Sequence, residues 1–311
     1  MSDYGLSKAK RYNASGVEKK PLSESSIKVY TGNFNSIKMK FLDLDNPDDY
    51  SWVMDFKDID KYLEAFSSNT RRNKYAALLV VLQSMNIFPE AQKYYNEKQN
   101  ELNEEYNKFQ ETGKPLPSQK EKYVEKAEIE KMIKDIKKDL VKDDNKQLEQ
   151  GYVLFKLYSK IPRRNDFGNL KFIPIWSELS DEERKGNNYF DGKDLYINQY
   201  KTSAKYSEQK IELNKTLAKL LNSYVSKYKV NDNESLFKNS SGGDLTTNNL
   251  TKLLNRISQK YLGKNISTTM LAKIYMSEFS QTNEKIKSKA KQRGNSTAMM
   301  SNVYIKNFNQ T

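Results

Sequence analysis

The chain contains no cysteine and no histidine. Without cysteine, disulfides and thiol chemistry are excluded. With both residue types missing, a zinc centre would lack its usual ligands. The absent imidazole also removes the side chain that ordinarily titrates near neutral pH, so proton transfer falls to Lys, Tyr, Asp, Glu or water. No apolar run approaches the roughly 18 residues of a membrane-spanning helix. No N-terminal stretch reads as a signal peptide, so a soluble, intracellular protein with no membrane partner is expected. Hydrophobic residues are sparse, at 36%. What the chain has instead is charge and phenol: a formal net charge of +13 over 311 residues, and 21 tyrosines. Lys and Arg that neutralise phosphates release counterions, so the basic excess suits a polyanionic partner, while composition alone leaves a basic but well-mixed surface equally open. Tyrosine rings are expected to build part of the core. The length fits one large domain or two ordinary ones.

Residues 1–20 are polar and basic with little periodicity, and read as a mobile tail that could touch nucleic acid. Ser23 to Ser26 supply N-cap residues before apolar positions at Ile27, Tyr30, Phe34 and Ile37. A second helix is expected over 59–66. A third follows Ser67-Ser68-Asn69-Thr70 and carries Arg71, Arg72 and Lys74 at its start, where a helix N-terminus and three cations would suit a phosphate. Asp43, Asp45, Asp48 and Asp49 surround Pro47; they lack the glycine and distal glutamate of a calcium loop and read as a turn with capping carboxylates. A charged helix over 91–117 ends in Thr112-Gly113-Lys114-Pro115-Leu116-Pro117, the best linker candidate. Ile129, Ile133, Ile136 and Leu140 then mark one buried helical stripe. Another helix covers 147–160. Strands are expected over 170–176, 194–200 and 209–213, and helices from 214 onward, broken at Ser240 to Gly243. The chain is thus expected to be mainly α with a small antiparallel β-sheet: a tail over 1–20, a helical domain over 21–117, and a second domain over 118–311.

Four segments carry candidate chemistry. Pro162-Arg163-Arg164-Asn165-Asp166-Phe167 follows a helix. Tyr200-Lys201-Thr202 ends a strand. Ser267-Thr268-Thr269-Met270-Leu271-Ala272-Lys273 begins a helix. Arg293-Gly294-Asn295-Ser296 precedes Tyr304 near the C-terminus. In order and spacing this set resembles the tyrosine recombinase (phage-type integrase) family, most of all the recombinases of large DNA viruses and their mobile elements. The resemblance covers 124–311 well and 22–90 loosely.

The resemblance implies a two-domain clamp, with a helical core-binding domain followed by a catalytic domain. It makes Arg163 the phosphate-clamping arginine, Asp166 its support and Arg164 the rival assignment. Arginine's planar fork suits two phosphate oxygens. It makes Lys201 the acid that protonates the departing 5′-oxygen, which would otherwise leave as an alkoxide; Lys205 is the runner-up. Tyr304 becomes the nucleophile, a phenol that needs nearby cations because its pKa is ordinarily near 10. Asn295 stands at a His/Trp position and can donate to a phosphate oxygen. Thr269 stands for the family's histidine and Ala272 for its second arginine. Threonine cannot carry charge and alanine can do nothing polar. Lys273 is adjacent, but one residue turns a helix by about 100°. Arg71, Arg72, Lys74, Arg164 and Lys205 are the further DNA contacts.

The implied partner is double-stranded DNA at a specific site, bound by a homodimer, with a homotetramer in the synapse. No metal or other cofactor is implied. The implied activity is cutting and rejoining of DNA through a 3′-phosphotyrosyl bond, impaired in this chain by Ala272. A type IB topoisomerase, a non-catalytic DNA-binding derivative and a basic structural protein are the alternatives.

Overall fold

The computed structural model describes residues 4–9, 11–12, 18–200, 203, 208–279, 282 and 284–286. The chain divides into two compact units, Met1–Lys114 and Pro115–Thr311. The division falls inside the Gly/Pro cluster, where Gly113 takes a left-handed φ of +66° and Pro117 starts the next helix.

The first unit packs α1 (Glu24–Phe41), α2 (Phe56–Glu64), α3 (Ser68–Met85) and α4 (Pro89–Glu111). The side chain of Ser23 caps α1 and that of Ser67 caps α3. Asn86 and Phe88, both at positive φ, reverse the chain before Pro89 restarts it. α3 lies against both α1 and α4, and its Tyr75, Leu78, Val81 and Leu82 are buried. The core is strongly aromatic. The Trp52 ring stacks on Phe41 at 6.1 Å, and the wholly buried Tyr95 donates to the Val53 carbonyl at 2.6 Å. Asp49 caps its own turn, accepting from the Ser51 amide at 2.8 Å.

The expected mobile tail needs correction over residues 4–9. Leu6 is buried in this core, the Tyr4 ring meets Phe34 at 4.9 Å, and Ser84 donates to the Tyr4 carbonyl at 2.7 Å. One leucine and one tyrosine in a polar run were enough to seat it. Two short antiparallel strands follow, β1 (Arg11–Tyr12) and β2 (Glu18–Lys19).

The second unit opens with α5 (Pro117–Lys122), α6 (Lys126–Lys142) and α7 (Lys146–Lys160). The stripe Ile129, Ile133 and Ile136 of α6 is buried, with Leu140 partly so. α7 is deeply buried along its middle: Val153, Leu154, Phe155, Leu157 and Tyr158 are all at most 1% exposed. A Cβ on Gly151 of this helix would lie 2.0 Å from Ile257 Cδ1, so a side chain there would require the Ile257 side chain to move.

After α7 come β3 (Leu170–Phe172), α8 (Asp181–Gly186), β4 (Asn188–Phe190), β5 (Asp194–Ile197) and β6 (Gln209–Glu212) in one four-stranded sheet, order β3-β4-β5-β6. This sheet is mixed, not antiparallel as expected. β3 pairs with β4 in parallel, Leu170 opposite Asn188, while β4–β5 and β5–β6 are antiparallel. The connection through α8 is long enough to bring the chain back to the starting end of β3, and β4 itself was not anticipated. Every residue of β5 is buried, because the sheet is covered on both faces. Leu195 and Ile197 face the main core; Tyr196 stacks on Trp176 at 3.9 Å on the other side. Among the described residues, the helices α9 (Lys215–Tyr228), α10 (Thr247–Leu262) and α11 (Thr268–Met276) follow. All three contact α7. Among the described residues, no helix is long and apolar enough to cross a membrane.

Candidate functional site

The turn after α7 is held from beneath on several sides. Tyr158, fully buried on α7, donates its hydroxyl to the Arg164 carbonyl at 2.8 Å, and its ring lies 4.9 Å from Phe167. Burial, with the Asp166 charge nearby, pushes the Tyr158 phenol far above its ordinary value, so it is a fixed donor. Asn165 donates to the Thr247 carbonyl at 3.2 Å and to the Thr251 hydroxyl at 3.1 Å, and accepts from Thr268 at 2.5 Å. It therefore ties the turn to the first turns of both α10 and α11. A Cβ on Gly168 would lie 2.8 Å from the Leu245 carbonyl oxygen, so the chain passes too close there for any side chain.

Asn188, the first residue of β4, is wholly buried and uses both ends of its amide. Its nitrogen donates to the Asp166 carbonyl at 2.9 Å, to Asn169 Oδ1 at 3.0 Å and to the Gln199 carbonyl at 3.0 Å. Its oxygen accepts from the backbone amides of Asn198 at 2.9 Å and Gln199 at 2.8 Å. One buried side chain thus fixes the Arg163–Asp166 turn against the chain leaving β5, just before Tyr200.

On that platform Arg163 is oriented rather than loose. Its Nε donates to Asp166 Oδ2 at 3.0 Å, its Nη1 donates to Gln209 Oε1 at 2.6 Å, and its guanidinium sits 5.3 Å from the centre of the Tyr200 ring. The pair is largely covered, with the Arg163 side chain 16% exposed and that of Asp166 13%. A guanidinium has five N–H donors; no described residue takes the other three.

These groups open into a cavity of about 540 Å³. Pro162, Arg163, Arg164, Asp166, Tyr200, Gln209, Thr269 and Ala272 line it. α11 contributes its polar face: Thr269, Ala272 and Lys273 are not buried, whereas Met270, Leu271, Ile274 and Tyr275 pack inward. Thr268, next to Thr269, turns into the protein to bond Asn165. Lys273 is exposed and is not among the lining residues, as the 100° step per residue requires. A second cavity of about 610 Å³ shares Arg164, Asp166, Tyr200 and Thr269 with the first and adds Asn165, Asn169, Gln199, Thr246, Thr247 and Thr268. With Arg163 and Arg164 against the one carboxylate of Asp166, the first cavity favours an anion.

The structure therefore brings Arg163, Arg164, Asp166, Thr269 and Ala272 to one place. Lys201, Lys205, Asn295 and Tyr304 lie outside the described residues. Gln209, Asn188 and Asn165 were not anticipated. Gln209 did carry a signal: it shares the inward parity of β6 with Ile211, between exposed Lys210 and Glu212, and a polar residue on an inward strand position asks for a partner.

The three cations of the first unit part company. Arg72 donates to Asn69 Oδ1 at 2.7 Å and lies 4.3 Å from the Tyr106 ring centre. Arg71 donates to Ser68 at 3.4 Å. Both are half-buried near the start of α3. Lys74 contradicts the expected phosphate contact: it is only 5% exposed, its ammonium donates to the Ser36 hydroxyl, and it sits 4.8 Å from the Phe66 ring centre. It shares the buried stripe of Leu78, Val81 and Leu82, and that stripe decided its direction.

No family model and no curated protein matches this chain. Among solved structures, it is similar to the crystal structure of XerA recombinase, over 92% of this chain and 89% of that one, at 13% identity and a TM-score of 0.36. A likeness that loose fixes neither family nor activity, and the cavity itself bears the functional reading.

Proposed function

We propose that the chain is a DNA strand transferase of the tyrosine-recombinase kind, binding double-stranded DNA with a backbone phosphate in the Arg163 cavity. The observation that carries this is Arg163 itself. Its Nε is held by Asp166 and its Nη1 by Gln209, and no described residue takes its other three N–H donors, in a cavity shared with Arg164 and Thr269. That is how an arginine is arranged to grip a phosphodiester bidentately. The chain's net charge of +13 supplies the attraction for a polyanion.

In this reading the Tyr304 hydroxyl gives up its proton to solvent water as its oxygen attacks phosphorus, and a tyrosyl 3′-phosphate ester forms. The bond to the 5′-oxygen breaks, and Lys201 delivers the proton that makes the 5′-hydroxyl. Arg163, Asn295 and Thr269 meet the non-bridging oxygens, and Asp166 keeps Arg163 in place. The reverse step, with a different 5′-hydroxyl, rejoins strands. Residues 21–117 serve as the core-binding domain and 118–311 as the catalytic domain. Arg71, Arg72, Arg164 and Lys205 add phosphate contacts, a dimer occupies each site, and a tetramer forms the synapse. The protein works inside the cell, where its target DNA lies. Ala272 slows the reaction because it removes one of two cations that share the transition-state charge.

Ala272 also favours a second reading, a DNA-binding protein that no longer cleaves. The test begins with selection of bound sites from a random duplex pool. A nicked suicide duplex of the selected sequence should then give a slow, detergent-resistant covalent adduct with this chain. Tyr304→Phe should abolish that adduct with little change in affinity, while Tyr200→Phe should retain it. An adduct that survives Tyr304→Phe disproves the nucleophile assignment. Tight binding with no adduct, even in Ala272→Arg, establishes the second reading.

A further inference from the structure

Gln209 is placed where a binding residue would be, and nothing in the recombinase reading assigns it a part. It begins β6, lines the same cavity as Arg163, Thr269 and Ala272, and accepts from Arg163 Nη1 at 2.6 Å. An amide's two ends are hard to tell apart by shape, but here the chemistry decides. A guanidinium can only donate, so the Gln209 oxygen must face it and the NH2 must be the other end. No described residue accepts from that NH2.

We infer that Gln209 is a phosphate-binding residue of this cavity, whose amide oxygen steadies Arg163 and whose amide NH2 donates to a phosphoryl oxygen. The inference deepens the proposed DNA-phosphate site and rests on it. The need for such a donor follows from the wall opposite. α11 offers the hydroxyl of Thr269 and the methyl of Ala272, and neither carries charge. A neutral N–H held beside an oriented arginine adds a hydrogen bond at a site that Ala272 leaves poor in donors. Asp166 cannot fill that role, because an ionised carboxylate only accepts. The arrangement also predicts discrimination by charge. A carboxylate at 209 would bind the Arg163 fork in place of the ligand and repel the phosphate.

The experiment uses the full chain with Gln209→Met and Gln209→Glu. Methionine keeps the length and packing but loses both hydrogen bonds. Inorganic phosphate is titrated against thermal unfolding, with sodium chloride holding ionic strength constant. A ligand that binds only the native state raises the melting temperature. The chain should gain about 2 °C at saturating phosphate. Gln209→Met should lose most of that gain and Gln209→Glu all of it. Equal gains in all three proteins, or no gain in the unaltered chain, overturn the inference.

The second arm measures adduct formation on the nicked suicide duplex in an Ala272→Arg background. Losing one donor to a developing oxyanion costs on the order of 10² in rate. Gln209→Met should therefore slow the adduct by about that factor, with duplex affinity changed only a few-fold. A purely packing role predicts that methionine retains the rate. The two failures are separable. A phosphate response that depends on Gln209 with no duplex binding disproves the DNA reading and keeps the subsite; duplex binding and cleavage indifferent to Gln209 do the reverse.

Discussion

Two clusters of cations look alike in the sequence and end differently in the structure. Arg163 and Arg164 sit on a turn after a helix, and Arg71, Arg72 and Lys74 sit in the first turns of one. At the turn, Tyr158, Asn165 and Asn188 grip the backbone from below, and the charged heads project into a cavity. On the helix, position alone decides: Arg71 and Arg72 stay near the surface while Lys74 follows the apolar stripe inward. A run of charge thus reports composition; the element beneath decides which charges can meet a ligand. A buried amide network holds a turn more firmly than a helix face holds its long side chains.

The sharpest way to press this comparison is to add a cation to the gripped site. Ala272→Arg places a guanidinium on the cavity wall opposite Arg163. A cation on transition-state charge is worth roughly 10³ to 10⁵ in rate in other phosphoryl transfers. Adduct formation should rise by a comparable factor with little change in affinity. If the arginine version cleaves no faster, the register of α11 against the proposed chemistry is wrong.

Next in size is the network itself. Asn188→Ala strands the acceptors and amides now paired by one buried side chain. Each buried group left unpaired costs about 1–3 kcal/mol. A loss of about 3 kcal/mol or more is expected in urea unfolding of the second unit. Asn188→Asp should cost a similar amount, because a carboxylate has no N–H to offer the three acceptors around that nitrogen. A loss under about 1 kcal/mol would mean that water replaces the amide and that the turn is not held as described. Gly168→Ala acts on the same turn by sterics. Its Cβ would meet the Leu245 carbonyl at 2.8 Å, a backbone atom that cannot swing away. Overpacking of this kind costs about 1–3 kcal/mol, and phosphate binding should weaken with it.

Much of this architecture could be read from sequence. The helix starts at Ser23 and Ser67, the stripe of α6 and the break near Gly113 follow from caps, period and punctuation. The turn of Arg163 and the face of α11 carrying Thr269 and Ala272 were legible because both lie on or beside regular helices. The parallel pairing of β3 with β4 was not. Three-residue strands carry too little periodicity, and Asn188, which starts β4, is polar where strand patterns ask for apolar residues. Asn188 escaped for the same reason, and although the inward parity of Gln209 asks for a partner, neither amide names its partner until long-range topology brings it near.

The smallest expected effect tests the other side of the comparison. Lys74 is a buried cation with a hydroxyl and a ring for neighbours, and no carboxylate among the described residues pairs with it. Burial pulls its pKa below the ordinary lysine value. Between that lowered value and about 10.4, the unfolded chain holds the proton more tightly than the folded one, so stability rises with pH across that window. Lys74→Met removes the buried charge, though it also leaves Ser36 without its donor. The two terms nearly offset, and a change of less than about 1 kcal/mol at pH 7 is expected. The gain in stability on raising pH from neutral towards 10 should shrink in the variant. Duplex affinity should not change, because the ammonium does not face a ligand. Arg72→Ala should behave oppositely. Its stability should stay within about 0.5 kcal/mol, while the slope of log affinity against log salt should fall by about 1. If instead Lys74→Met lowers that slope and Arg72→Ala does not, the ammonium reaches the phosphates after all, and the contrast between the two clusters is lost.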